Sequence, residues 1–152
     1  MERQLIVFDL GREHYGVPIA AVQSIIKMQA ITALPQTPSF VEGITNLRGE
    51  ILPVLDPRKR FGLPISPPTS ESRLVVVEVG SAAVALIVDR VSEVLRVDDV
   101  MIEPPSPIVA PPSAAHIQGV ARLDGREVIL LDLSRLLTSQ EQFALVALPA
   151  RG

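Results

Sequence analysis

The chain has 152 residues, 47% of them hydrophobic and 20% charged, with a formal net charge of −3. That length makes one domain, or two small ones sharing a core, and the apolar content excludes a disordered tail. The acidic balance gives no basic footprint for nucleic acid, and the lack of cysteine removes disulfides and thiolate metal sites while fitting a reducing cytoplasm.

Aromatic residues are only 3%, so the core must be built from Val, Ile, Leu and Ala; with 14 prolines this favours strands and turns over long helices. The start, MERQLIVFDLG, is too short and wrongly flanked for a signal peptide, and no stretch approaches the ~20 apolar residues of a membrane span. A soluble, cytoplasmic protein is expected. QLIVFDL at 4–10 reads as a strand, Gly11 as a turn, and HYGVPI at 14–19 as a returning strand. Val22, Ile25 and Ile26 then follow i, i+3, i+4 spacing, which suits a short helix or a strongly bent strand. GITNLRGEILPVLD at 43–56 is a glycine-framed turn leading into an apolar strand at 51–55. GLPISPPTSES at 62–72 is a linker by composition.

The chain then repeats itself. LVVVEVG at 74–80 echoes LIVFDLG at 5–11, an offset of 69, and ALIVDRVSEVL at 85–95 lies over GVPIAAVQSII at 16–26. GVARLDGREVILLD at 119–132 echoes 43–56 at an offset of 76, so Gly43, Leu47, Gly49 and Asp56 meet Gly119, Leu123, Gly125 and Asp132. The extra length falls in the proline-rich EPPSPIVAPPS at 103–113. Two subdomains, about 1–66 and 72–138, are therefore expected within one domain. Each would have about five short strands closed into a small barrel, which removes aggregating edges. SRLLTSQEQFALVAL at 134–148 is a helix candidate with Ser134 as its cap.

Chemistry is sparse. His14 and His116 are the only histidines, and neither has a paired ligand in the sequence, so both are expected to be inert. No phosphate-cradling glycine motif is present. Asp98-Asp99 reads as a strand stop, and Arg58-Lys59-Arg60 as a solvated strand end without the aromatics of a nucleic-acid surface. Asp56 and Asp132 read as carboxylates accepting turn amides. No catalysis, cofactor or metal is expected. Arg48 differs, because Asp124 replaces it in the second copy. A residue that breaks the repeat is a candidate for surface recognition.

Three stretches, LIVFDLGREHYGVPIAAVQSI, TPSFVEGITNLRGEILPVLDPRKRFG and AVALIVDRVSEVLRV, resemble the CheW family of chemotaxis coupling proteins, over about Leu5 to Leu137. The resemblance implies a mainly β fold of two SH3-like five-stranded barrels on a shared apolar core, with short helices. It implies a non-enzymatic adaptor joining the cytoplasmic tip of a methyl-accepting chemoreceptor to the regulatory domain of a CheA-type histidine kinase, without membrane insertion. The motif arginine, with Asn46 and Gly49 beside it, maps the coupling surface to Arg48. Val22 maps to a receptor groove that Ile25, Val91 and Val94 would complete, with Val22 and Val91 partly exposed and Ile25 and Val94 in the core. Ile102, Glu103 and Ile108 lie in a stretch that resembles a kinase contact. Ser24, Ile26 and Glu103 depart from the family pattern, leaving open a pilus, surface-sensing or developmental system. A barrel binding a ligand or RNA is the other alternative.

Overall fold

In the computed structural model, residues 2–80, 82–104, 116–123 and 125–136 are described. The first copy forms strands β1 (Glu2–Leu10), β2 (Glu13–Pro18), β3 (Val22–Lys27), β4 (Val41–Leu47) and β5 (Glu50–Leu55), then a short helix α1 (Pro57–Phe61). The second forms β6 (Arg73–Val79), β7 (Ala82–Val88), β8 (Arg90–Asp98), β9 (Ile102–Glu103), β10 (Ile117–Leu123) and β11 (Arg126–Leu131). They make two sheets, ordered β8-β1-β2-β11-β10-β9 and β3-β6-β7-β5-β4.

Both sheets close. The chain leaving β8 returns as β9 to pair with β10, and the chain leaving β3 returns at Thr32, which bridges Ile44 of β4. The near-continuous apolar strands are explained by this closure, since each has an inward and an outward face to bury. In β1, Leu5 and Val7 fill one barrel while Ile6, Phe8 and Leu10 enter a core between the barrels. In β6, Leu74 and Val76 fill the other barrel while Val75, Val77 and Val79 join the same central core. The shared apolar core is thus one cluster built from alternate residues of both sheets.

The duplication is visible in the strand geometry. Offset-69 partners carry matching bulges: β3 skips Gln23 against β6, and β8 skips Ser92 against β1. Offset-76 partners do the same, with breaks between Val41 and Gly43 and between Ile117 and Gly119. The segment at 22–26 is therefore a bulged strand rather than a helix, preceded by a single 3-10 turn at Ile19–Ala21.

The expected boundaries at 1–66 and 72–138 do not coincide with the barrels. Hairpin β1-β2 sits in the sheet of the second copy, and hairpin β6-β7 sits in the sheet of the first. The cause is connection length. If β3 paired with β1 as β8 does, it would run parallel to β2 in the same sheet, and consecutive parallel strands need a crossover of about a dozen residues. Only Ile19–Ala21 separates β2 from β3, and only Asp89 separates β7 from β8. Each chain segment therefore passes straight into the other sheet. The C-terminal helix candidate lies mostly outside the described residues; its start is a 3-10 turn at Leu133–Arg135, capped by Asp132 rather than Ser134.

Candidate functional site

The β4–β5 hairpin closes with Leu47 opposite Glu50, leaving a two-residue loop. Its residues Arg48 and Gly49 have φ 55° and 86°, the sign pattern of a type I′ turn that matches the twist of the strands. Left-handed backbone costs a non-glycine residue about 1 kcal/mol, so the arginine itself bears strain that glycine would avoid. Asn46 braces the turn by accepting the Gly49 amide at 2.9 Å through Oδ1. Asn46, Arg48 and Gly49 are exposed together, and Arg48 makes no hydrogen bond or ion pair among the described residues.

The base of this hairpin is fixed from behind. Gly43 has φ 149°, and a Cβ there would meet the Thr32 carbonyl oxygen at 2.1 Å. Buried Thr45 donates to the Ala30 carbonyl at 2.9 Å. The Gln29 amide donates to Thr45 Oγ1 at 2.7 Å and to the Asn46 carbonyl at 2.6 Å. Gln29 was not legible in the sequence, because a lone glutamine in a loop has no motif or periodicity to mark it. Gly119 occupies the place of Gly43, and a Cβ there would meet the Glu103 carbonyl oxygen at 2.8 Å. Gly125 repeats Gly49 with φ 79°, while Asp124 lies outside the described residues.

The residues expected to line a groove fall on β3 and β8, each at one end of its sheet's strand order. Val22 and Val91 are half-buried against the central core, as expected of partly exposed residues. Ile25 and Val94 correct the expectation: they are 41% and 54% exposed rather than core. The bulges at Gln23 and Ser92 explain this, because the extra residue shifts the alternation and turns both side chains outward. Lys27 and Arg96 lie two places further on, so each strand shows solvent an apolar residue and then a cation.

Ile102 is half-buried against the core of its barrel and pairs with Ala121, which makes it part of the closure. Glu103 is exposed and contacts Arg122 at 3.4 Å. Ile108 lies outside the described residues. Asp56 accepts the Arg58 amide at 3.0 Å and Asp132 the Ser134 amide at 3.1 Å, so each caps the turn at the end of its strand. Burial pushes the Asp56 carboxyl above the usual carboxylate range, aided by Glu42, against the lowering effect of the Arg58 amide and of Lys59 and Arg58.

The basic run is not a solvated strand end. Arg58 is buried and pairs with Asp89 at 2.5 Å, Lys59 pairs with Glu42 at 2.5 Å, and Arg60 lies 4.5 Å over the Phe40 ring while its Nε donates to the Leu136 carbonyl. Strand geometry places His14 opposite Asp9, and its Nδ1 lies 2.7 Å from Asp9 Oδ1, with Arg90 on the same carboxylate. His116 contacts the Arg135 carbonyl and the Phe61 ring. Asp98 accepts the Val100 amide, and Asp99 pairs with Arg3 at 2.6 Å. Among the described residues no group of three His, Cys, Asp or Glu can hold a metal, and no helix is long and apolar enough to cross a membrane.

Comparison with known proteins agrees with the fold. Residues 4–141 match the family model described as a CheW-like domain. The chain is 35% identical over 142 residues to a chemotaxis protein CheW of Rhizobium meliloti, covering 93% of this chain and 92% of the relative. It is 34% identical over 142 residues to the CheW of Treponema pallidum, covering 91% and 84%. Among solved structures, the scaffolding protein TtCheW from Thermoanaerobacter tengcongensis superposes with a TM-score of 0.84 at 39% identity, covering 93% of this chain and 91% of that one.

Proposed function

The chain belongs to the CheW-like family of chemotaxis scaffold proteins, and from that premise we propose that it couples methyl-accepting chemoreceptors to a CheA-type histidine kinase. It does so as a non-enzymatic adaptor, by binding the receptor's cytoplasmic tip and the kinase's regulatory domain, and it is recruited from the cytoplasm to receptor arrays at the membrane. The observation that carries this reading is Arg48, held exposed and without a partner among the described residues at φ 55° on a braced two-residue turn. A rigid turn that bears strain to present a five-donor guanidinium is suited to acidic side chains or carbonyls on a partner. The outward Ile25 and Val94, each with a cation two places on, supply apolar anchors for a helical hairpin.

The test is a reconstituted receptor–kinase assay with Arg48→Glu and Ile25→Asp. Both side chains are exposed, so stability should change by under about 0.5 kcal/mol. Arg48→Glu should abolish receptor control of the kinase. Ile25→Asp should weaken receptor binding while kinase binding survives, since a carboxylate desolvated against an apolar helix has no partner. Full coupling by the Arg48→Glu protein would refute the reading. Ser24, Ile26 and the exposed Glu103 depart from the family pattern and leave a non-flagellar output open; preferential binding to the kinase of a pilus or surface-sensing system would establish it.

A further inference from the structure

Among the described residues, four strand pairs hold the molecule together between its two halves: β1 with β8, β2 with β11, β3 with β6, and β5 with β7. Within residues 2–61 the only pairings are β1 with β2, β4 with β5 and the Thr32–Ile44 bridge. Nothing in that half pairs its first hairpin with its remaining strands, and among the described residues of the second half hairpin β6–β7 pairs with none of β8–β11, so neither half by itself contains a barrel. The covalent tie between the halves is the segment 62–72 alone.

Most of that tie is committed. Leu63 donates its amide to the Arg58 carbonyl and packs on the central core, and Thr69 to Ser72 form a hydrogen-bonded turn. The stretch between them is Pro64-Ile65-Ser66-Pro67-Pro68, with Ile65 71% exposed. Three prolines in five residues favour an extended, semi-rigid spacer at about 3.1 Å per residue over one that folds back readily.

We propose that the chain associates with a second copy of itself by exchanging halves, residues 2–61 of each copy completing both barrels with residues 73–136 of the other. Every strand pair among the described residues is kept in this dimer, so the two forms differ in the path of the linker. A short linker gives its two halves an effective concentration on the order of millimolar, which a second copy must approach in order to compete. Exchange therefore competes when the chain is concentrated, and once formed it persists, because reversal requires four strand pairs to separate. The dimer presents two Arg48 turns and two copies each of the outward Ile25 and Val94 on one particle, which makes the adaptor bivalent.

Two experiments on the full chain test this. In the first, Gln4→Cys and Arg96→Cys chains are denatured together, refolded at several hundred micromolar and oxidised. The two positions are exposed and directly opposite in β1 and β8, at a separation a disulfide can span. A disulfide-linked pair of twice the monomer mass should form, at least fivefold more than when the two proteins are folded separately and then mixed. Equal yields from the two protocols would overturn the proposal. In the second, Pro64–Pro68 is deleted and sedimentation is measured at micromolar concentration. A folded dimer is expected, and a folded monomer would overturn it.

Discussion

The β4–β5 and β10–β11 hairpins occupy the same place in the two copies and differ in the side chains they carry. Their scaffolds agree: Gly49 and Gly125 share a left-handed turn position, Gly43 and Gly119 both yield to a passing carbonyl, and Asp56 and Asp132 both cap the turn at the end of the hairpin. Their chemistry differs: Arg48 stands where the second copy has Asp124, and the buried Arg58 of α1 has Ser134 as its counterpart. Agreement between copies marks what the barrel needs; the disagreement at Arg48 falls on an exposed turn, while that at Arg58 serves a buried ion pair with Asp89. Substitutions can attack either half of that statement.

The largest effect should come from the core that belongs to neither copy. Phe8 is fully buried among residues of both sheets. Phe8→Ala should cost about 3–5 kcal/mol. Hydrogen exchange should report the loss equally in β1 and in β6, since the exchanged hairpins leave no barrel able to unfold alone. Protection retained in β6 but lost in β1 would mean that the copies are energetically separate after all.

The paired glycines come next. Gly43→Ala places a Cβ at 2.1 Å from backbone oxygen at φ 149°, whereas Gly119→Ala meets its oxygen at 2.8 Å without a left-handed φ. Chemical denaturation should show about 3 kcal/mol lost at Gly43 and roughly half of that at Gly119. Similar losses would show that the return strand at Thr32 gives way as readily as β9 does.

Much of the fold was legible in the sequence, for physical reasons that can be named. The repeat showed itself because apolar alternation and positive-φ glycines recur wherever the same strand and turn recur, and two-sided burial showed in the unbroken apolar run of LVVVEV. The exchange of hairpins was also written there, in the three residues between Pro18 and Val22, but only a strand order gives that spacing its meaning. The outward turn of Ile25 and Val94 was hidden because a bulge adds one residue without any sequence mark. Arg58-Lys59-Arg60 looked solvated because charge runs usually are, and the acidic partners Asp89 and Glu42 are distant in sequence.

Asp56 offers a smaller test of the equivalence between the caps. Its carboxyl titrates above the usual carboxylate range, so folding favours the protonated form. The native state is therefore penalised once Asp56 ionises: stability falls as pH rises from the ordinary range through the raised value, and the penalty is absent in more acidic solution. Asparagine keeps the capping acceptor without the charge. Asp56→Asn should melt higher than the parent at pH 7, with the difference vanishing below the ordinary carboxylate range. A lower melting temperature at pH 7 would show that the carboxylate's attraction to Lys59 and Arg58 outweighs its burial.

Arg48→Asn should have the smallest effect on stability and separates structure from use most directly. Asparagine is favoured where a two-residue hairpin loop needs a left-handed first residue, and Asn-Gly is the preferred sequence for a type I′ turn. Arginine at φ 55° is not favoured there, and among the described residues it forms no hydrogen bond or ion pair that would repay the strain. Replacing it should therefore raise stability by about 0.5–1 kcal/mol, read from the denaturant midpoint at unchanged m-value. Asn46 and Gly49 would keep their 2.9 Å bond, so the shape of the turn should persist. Receptor control of the kinase should fall nevertheless, because only the guanidinium has been removed. A variant both more stable and less functional would show that the first copy gave up a better turn for a binding group. Lower stability would instead show that Arg48 supports the hairpin and that the asymmetry between the copies is structural.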